Sequence, residues 1–274
     1  MIVLYPIKEF RFPVVAECIN PDFFDNKTAA EIMQLKLWEG NTEKNLGELF
    51  KVEEVQSPEA VEEPIIMING NVSKVRWICA RMRRGQVIIK GDVGTHLGEE
   101  MEGGKIIVHG NVGGWAGSTM KDGIIEIHGN AGDYVGAPYR GSTHGMKGGK
   151  IIVHGNVGVD AGAYMMKGMI KIYGNAGQFV GHGMHDGLIY VQGNCDGRAG
   201  SCMIGGTVIV GGFMESVLPT FTFDGVRKKV KIEEGEVVEE PFYLFLGDLA
   251  EDGKGKLYIS KAKNPQLSNY ERFL

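Results

Sequence analysis

The sequence predicts an all-β protein: a right-handed parallel β-helix of about seven to eight coils, with a small α-containing N-terminal cap and an irregular C-terminal extension. Three observations lead there. A Gly-Asn or Gly-Asp step recurs with its glycine at Gly70, Gly91, Gly110, Gly129, Gly155, Gly174 and Gly193, at intervals of 21, 19, 19, 26, 19 and 19 residues. Methionine keeps an almost identical period at Met82, Met101, Met120, Met146, Met165, Met184 and Met203, with the same single longer interval of 26. Between these marks the apolar residues alternate, as in "KIIVHGNVG" and "IIEIHGNAG", which is the period of a strand and not of a helix.

The chain divides into residues 1–60, 61–214 and 215–274. In the first part, "TAAEIMQLKLWEGN" carries the capping-box pair Thr28 and Glu31, an apolar face with Ile32 and Leu35, and Gly40 as the stop, so a short helix capping the first coil is expected. A cap is needed because the end strand of such an array presents unpaired backbone groups.

Residues 61–214 repeat the unit G-x-x-M-x-x-G-x-[IV]-x-[VI]-x-G-[ND]. Nineteen residues are too few for a strand, a crossover helix and a return strand, which need about 30, so each unit reads as one coil of short strands and corners. One inward column is Val87, Ile106, Ile125, Ile151, Ile170, Ile189 and Val208; the second is Ile89, Val108, Ile127, Val153, Ile172, Val191 and Val210. The Gly-Asn step is expected to supply the positive φ of a sharp corner, and methionine to fill irregular corner space. The interval of 26 equals 19 plus 7 and places an inserted loop at Ala137–Gly145.

Beyond Glu215 the period is lost. "PFYLFLGDLAEDGKGKLYISKAKNP" reads as strand, acidic turn and strand, and the ending "NPQLSNYERFL" has neither period, so it is either disordered or bound along a neighbour.

Composition limits the function classes. With 274 residues, 43% of them hydrophobic, the chain has material for a substantial core, and a formal charge of -5 gives no reason to expect nucleic acid. The opening "MIVLYPIKEF" is too short an apolar run for a signal peptide and no stretch reaches a membrane span, so a cytoplasmic protein is expected, without membrane contact. The 42 glycines invite a phosphate-loop reading, but neither GxxxxGK[ST] nor a GxGxxG between strand and helix is present, and tight corners account for them. Cys18, Cys79, Cys195 and Cys202 form no CxxC pair, which argues against a zinc knuckle or an iron-sulfur motif.

Candidate chemistry is sparse. His109, His128 and His154 occupy one outward position in three successive coils, but three ligands along a line do not converge on a point. "GHGMHDG" brings His182, His185 and Asp186 close together at a corner, where a polar solvent-facing turn explains them equally well. Cys195 and Cys202 share a coil as small corner residues. No Ser-His-Asp arrangement is written, and the isolated chain is expected to bind no stoichiometric molybdenum, tungsten, zinc or iron. The array's outside is the more informative surface: Ile88, Ile107, Glu126, Ile152, Lys171, Tyr190 and Ile209 form an outward stripe in which five of seven positions are apolar. Such a stripe calls for cover, either from the chain's own termini or from another subunit, which makes Ile88, Ile107, Ile152 and Ile209 candidate partner contacts. A basic cluster, Lys74, Arg76, Arg81, Arg83 and Arg84, marks the first coils.

The sevenfold array, "LKLWEGN" before "LGELFKVE", and the late "GDLAEDGKGKLYISKAKNP" together resemble the C subunit of formylmethanofuran dehydrogenase over nearly the whole chain. The array alone is also similar to the C-terminal β-helix domain of the large glutamate synthase subunit, and bacterial formyltransferase/hydrolase complexes contain a similar C subunit. The resemblance implies a scaffold subunit without catalytic or cofactor-binding residues of its own. Its implied partners are molybdenum or tungsten pterin subunits, iron-sulfur subunits and an amidohydrolase-like formyl-transferring subunit with a dinuclear metal site. The implied reaction of the complex is reduction of carbon dioxide and attachment of the formyl group to methanofuran, the reversible first step of methanogenesis from carbon dioxide. A stand-alone β-helix enzyme acting on carbohydrate is the competing class, and it would show clustered carboxylates on its strands.

Overall fold

A computed structural model of the chain describes residues 1–55 and 63–273. Short alternating segments in every repeat become strands, and one 13-stranded sheet holds most of them. The strands Ile65–Asn69, Gln86–Lys90, Lys105–Val108, Ile124–Ile127, Lys150–Val153, Met169–Ile172, Leu188–Val191 and Thr207–Val210 each pair in parallel with the next. Both predicted inward columns are in register and fully buried. A second parallel ladder runs through Val72, Val93, Val112, Ala131, Val157, Ala176 and Cys195, so every repeat meets the next along two lines. The fold is therefore all-β with few helices and one large parallel sheet.

The Gly-Asn step works differently from the expectation. Only Gly70 of the seven has a positive φ, +145°; at the others, as at Gly110, a Cβ would meet backbone of the preceding repeat, 2.5 Å from Gly91 in that case, so glycine permits one repeat to stack directly on the last. The asparagine beside it forms a ladder, its Oδ1 accepting the N–H of the equivalent residue in the next repeat: Asn111 from Asn130 at 2.9 Å, Asn130 from Asn156 at 2.8 Å and Asn156 from Asn175 at 2.8 Å. Positive φ belongs to the glycine that precedes each strand, such as Gly104 at +80°, where a Cβ would also come within 2.6 Å of the Met82 Cε. That contact explains why methionine and glycine keep one period: the thioether tip of each repeat lies beneath the glycine of the next.

The N-terminal segment covers the first strand of the array. Ile2–Pro6 pairs in parallel with Ile65–Asn69 and antiparallel with Phe50–Glu54. The capping box is present, with Thr28 N–H donating to Glu31 at 2.8 Å and Glu31 N–H to Thr28 Oγ1 at 3.3 Å. The helix it starts is shorter than expected, Ala29–Met33, and Gly40 does not end it. "LKLWE" is instead a strand, Lys36–Glu39, whose residues alternate exposed and buried, and Gly40 sits at φ +61° in the turn to Thr42–Asn45. The predicted boundary at 60/61 lies outside the described residues.

At the other end, Gly255–Ser260 adds in parallel to Thr207–Val210, followed in the sheet by Phe242–Gly247 and Thr222–Arg227. The final segment is not irregular: Pro265–Phe273 forms a 3₁₀ helix on the chain's own last repeats, with Leu267 buried and Tyr270 edge-on to Phe245 at 5.0 Å. Asn264, fully buried, anchors it by donating to Gly212 O at 2.9 Å and Ser260 O at 2.8 Å while accepting from Met214 N–H at 2.8 Å. Sequence pattern does not reveal this, because the anchor is one polar side chain answering three backbone groups.

The hairpin Val230–Glu233 and Glu236–Val238 folds back over the outer face of the sheet. Its Val230 and Ile232 pack with Phe242 on Tyr190 and Ile209. Beneath it the buried Lys171 ammonium meets Glu233 and Glu236, and Lys150 reaches Glu233 at 2.6 Å. Hydrogen bonds from Lys150 and Lys171 hold the Glu233 carboxyl down to about 2, against the opposing effect of burial. A carboxyl depressed in the folded state contributes stability above its ordinary value of about 4.5, and that contribution is lost as pH falls toward about 2. Hydrogen exchange of residues 230–238 should accordingly accelerate between about pH 5 and about pH 2.5, after correction for intrinsic rates, while Ile125 and Ile151 keep their protection. Uniform protection across that range would show that apolar packing alone holds the hairpin.

Candidate functional site

The outer face of the sheet is where the array departs from a purely structural repeat. Alternation directs the stripe outward, and the structure divides it in two. Lys171, Tyr190 and Ile209 are buried under the hairpin, whereas Ile88, Ile107, Glu126 and Ile152 are half-buried and stand outside the hairpin's apolar cluster, uncovered by it. Ile209 is thus not a partner contact; it is fully buried by Val230, Ile232 and Phe242, so the chain itself covers that end of the stripe. The uncovered half has Ile124 beside it, 38% exposed.

Next to the stripe stands the histidine ladder. Parallel pairing in register places His109, His128 and His154, each just past its strand, one above another. The rings stack, His109 on His128 at 5.1 Å and His128 on His154 at 4.8 Å, and Tyr173 continues the pile at 5.3 Å. Glu126 lies two residues before His128 and so on the same side of the strand. Its Oε1 is 3.3 Å from His154 Nε2 and 3.8 Å from His128 Nε2, and its Oε2 is 3.4 Å from Lys105 Nζ. Burial opposes ionisation of Glu126, but hydrogen bonds from His154 and Lys105 outweigh it and hold the carboxyl below the usual range. Sequence reasoning finds the ladder and the stripe as separate features. The "E-x-H" spacing in "IIEIHGN" is the signal that joins them.

A second stack is legible in the sequence only once its partners are known: Trp77, His96, Trp115 and Tyr134 lie 19 apart, all at positive φ, with Trp77 on His96 at 4.6 Å and Trp115 on Tyr134 at 4.6 Å. The inserted loop 137–145 returns Tyr139 to this stack, 5.2 Å from His96, and leaves a cleft of about 200 Å³ bounded by Tyr134, Arg140, Asp160, Tyr164 and His182. His182 in "GHGMHDG" is engaged by Ser201 Oγ at 2.8 Å and Tyr164 Oη at 3.3 Å, and the structure does not bring it together with His185 and Asp186 as a ligand set. The basic cluster is largely neutralised: Arg81 pairs with Glu17 and Glu100, Arg83 with Glu102 and Arg84 with Asp22 and Asp25.

The cysteines do not fit iron-sulfur or pterin-metal ligation. All four are free thiols, none belongs to a group of three potential metal ligands among the described residues, and burial pushes Cys18 up to about 12, Cys195 up to about 11 and Cys79 upward as well, the reverse of what a thiolate ligand requires. No helix among the described residues is long and apolar enough to cross a membrane.

An all-β repeat protein, whose parallel sheet is covered on part of its outer face by its own hairpin, is the class these features define. No family model matches the chain. The C subunit of the tungsten-containing formylmethanofuran dehydrogenase 2 of Methanococcus maripaludis is 46% identical over 261 residues, spanning 93% of this chain and 94% of that one. The C subunit of the molybdenum-containing formylmethanofuran dehydrogenase 1 of Methanothermobacter marburgensis is 44% identical over 96 residues, 35% of this chain and 23% of that protein. Among solved structures, the formyltransferase/hydrolase complex of Methylorubrum extorquens, in complex with methylofuran, contains a chain that matches with a TM-score of 0.83 and 27% identity, over 94% of this chain and 99% of that one. The chain belongs to the family of formylmethanofuran dehydrogenase C subunits.

Proposed function

We propose that this chain is a non-catalytic scaffold subunit of a formylmethanofuran dehydrogenase complex, its repeats wound as a right-handed parallel β-helix in the cytoplasm. The observation that carries this reading is near full-length likeness, 46% over 93% of the chain, to the C subunit of a tungsten form. The outer face supports it: a free-standing carbohydrate-acting enzyme needs carboxylates paired across a cleft, and the uncovered stripe offers Ile88, Ile107 and Ile152 with Glu126 as its single carboxylate. Carbon dioxide reduction and formyl transfer to methanofuran then belong to partners, namely the molybdenum or tungsten pterin subunits, the iron-sulfur subunits and the amidohydrolase-like subunit with its dinuclear metal site. The bacterial formyltransferase/hydrolase setting is the second reading, favoured by the structural match over 99% of the Methylorubrum chain.

Purification of the native protein through a tag on this chain tests both. Stoichiometric co-purification with subunits carrying a pterin metal and iron-sulfur clusters, with dehydrogenase activity in the complex and none in the chain alone, is the expected result. A complex with formyltransferase activity and no pterin metal would favour the second reading. Recovery of the chain alone from a native lysate, under conditions that preserve the complex, would overturn both.

A further inference from the structure

We propose that Glu126, His128 and His154 form a binding site for a divalent transition-metal ion of the zinc class on the outer face of the sheet. They are the one group of three or more potential metal-ligating side chains that the described residues bring together, their ligand atoms all within 4.8 Å of one another. Ring nitrogens along one line do not converge, which on sequence alone argues against the histidines. Glu126 changes that geometry, because its carboxylate comes from within the strand and turns the line into a corner.

The distances suit coordination. A tetrahedral ion with bonds of about 2.0–2.1 Å places neighbouring ligand atoms about 3.3–3.4 Å apart. Glu126 Oε1 already stands 3.3 Å from His154 Nε2, and 3.8 Å from His128 Nε2. The two rings lie nearly parallel, 4° apart, so both nitrogens reach one ion only after the rings tilt toward each other. That needs side-chain rotation alone, since the rings are 41% and 40% exposed and the backbone beneath them is fixed by strand register. The remaining position of the ion would face solvent, which is the open three-ligand arrangement that two histidines and one glutamate provide. Imidazole with carboxylate selects zinc, copper or nickel over magnesium or calcium. Lys105 engages only the other carboxylate oxygen at 3.4 Å; its charge reduces affinity without occupying the site.

The full-length chain, with Zn²⁺ as the probe, tests this by titration calorimetry, and Co²⁺ substitution reports coordination through the intensity of its visible bands. Variants come from the array itself: His154→Tyr and His128→Gln install the residues that Tyr173 and Gln192 show to be accommodated at the same repeat position. The expected result is one Zn²⁺ per chain, tetrahedral Co²⁺ intensity, and affinity lowered by at least the roughly 10–100-fold that even a supporting partner of a ligand is worth, in His154→Tyr, His128→Gln and Glu126→Gln alike. His185→Ala should leave binding unchanged. Circular dichroism of each variant guards against unfolding, and Glu126→Gln keeps shape and size while removing the charge. No uptake of Zn²⁺ by the parent chain would overturn the proposal, as would uptake that survives the triple substitution or disappears in His185→Ala.

Discussion

Ile127→Asp is expected to abolish cooperative folding of the array. Ile127 is fully buried in the second inward column, in register with Val108 on one side and Val153 on the other, and every neighbour in that column is aliphatic. A carboxylate there finds no hydrogen-bond donor beyond backbone already committed to the ladders. Leaving one buried charge unpaired costs about 3–5 kcal/mol, a large part of the roughly 5–15 kcal/mol that holds an ordinary domain together. Repeats stabilise one another through nearest-neighbour faces, so the loss spreads to the units on both sides. Ile124→Asp on the same strand, 38% exposed, should stay within about 0.5 kcal/mol of the parent. Thermal melts of the two variants decide it: a melting temperature for Ile127→Asp equal to that of Ile124→Asp would mean that the strand's inward and outward faces are misassigned.

Much of this is legible in the sequence because a repeat states its register many times over. Seven methionines and seven glycines at one spacing locate the strands of the array, and alternation locates both inward columns, since in a strand the side-chain period of two leaves no freedom. Where a signal occurs once, reading fails. Gly40 reads as a helix stop because glycine ends both helices and hairpins, and only the burial of Leu37 and Glu39 on one side of the strand distinguishes the two. The hairpin Val230–Val238 has no counterpart in the array, and nothing in its residues states that Val230 and Ile232 lie on Tyr190 and Ile209, far back in the chain. By pattern alone Ile209 therefore groups with Ile88, Ile107 and Ile152. At the Gly-Asn step the periodicity gives the right places and suggests the wrong cause: a side chain is forbidden there, and only the 2.5 Å approach of the preceding repeat's backbone shows why. Glu126 and His128 share a face by the same alternation that locates the columns, but the significance of that pair depends on His154, which the inserted loop moves to 26 residues beyond His128.

The division of the stripe yields the second large effect. Ile88→Lys with Ile107→Lys should abolish or strongly weaken assembly with the partner subunits while leaving the chain folded. These two residues are adjacent in register on the uncovered half, half-buried, and separated by the sheet from the columns that hold the repeats together. A fully buried isoleucine contributes at most about 1.5–3 kcal/mol, and association recovers only the part still exposed in the free chain, less the cost of ordering the interface. Two ammonium groups forced into an apolar contact add a desolvation penalty of several kcal/mol on top of that loss. In the free chain both lysines extend into water, so the melting temperature should remain near the parent's. Ile209→Lys is the contrasting substitution: fully buried beneath Val230 and Ile232, it should detach the hairpin and lower the melting temperature. Pull-down through this chain, scored for the proposed pterin-bearing and amidohydrolase-like partners, separates the possibilities. If the Ile88/Ile107 variant assembles normally, the partners bind elsewhere on the array, and the aromatic stack of Trp77, His96, Trp115 and Tyr134 becomes the next surface to substitute; if it unfolds, those two isoleucines are covered by the chain's own residues.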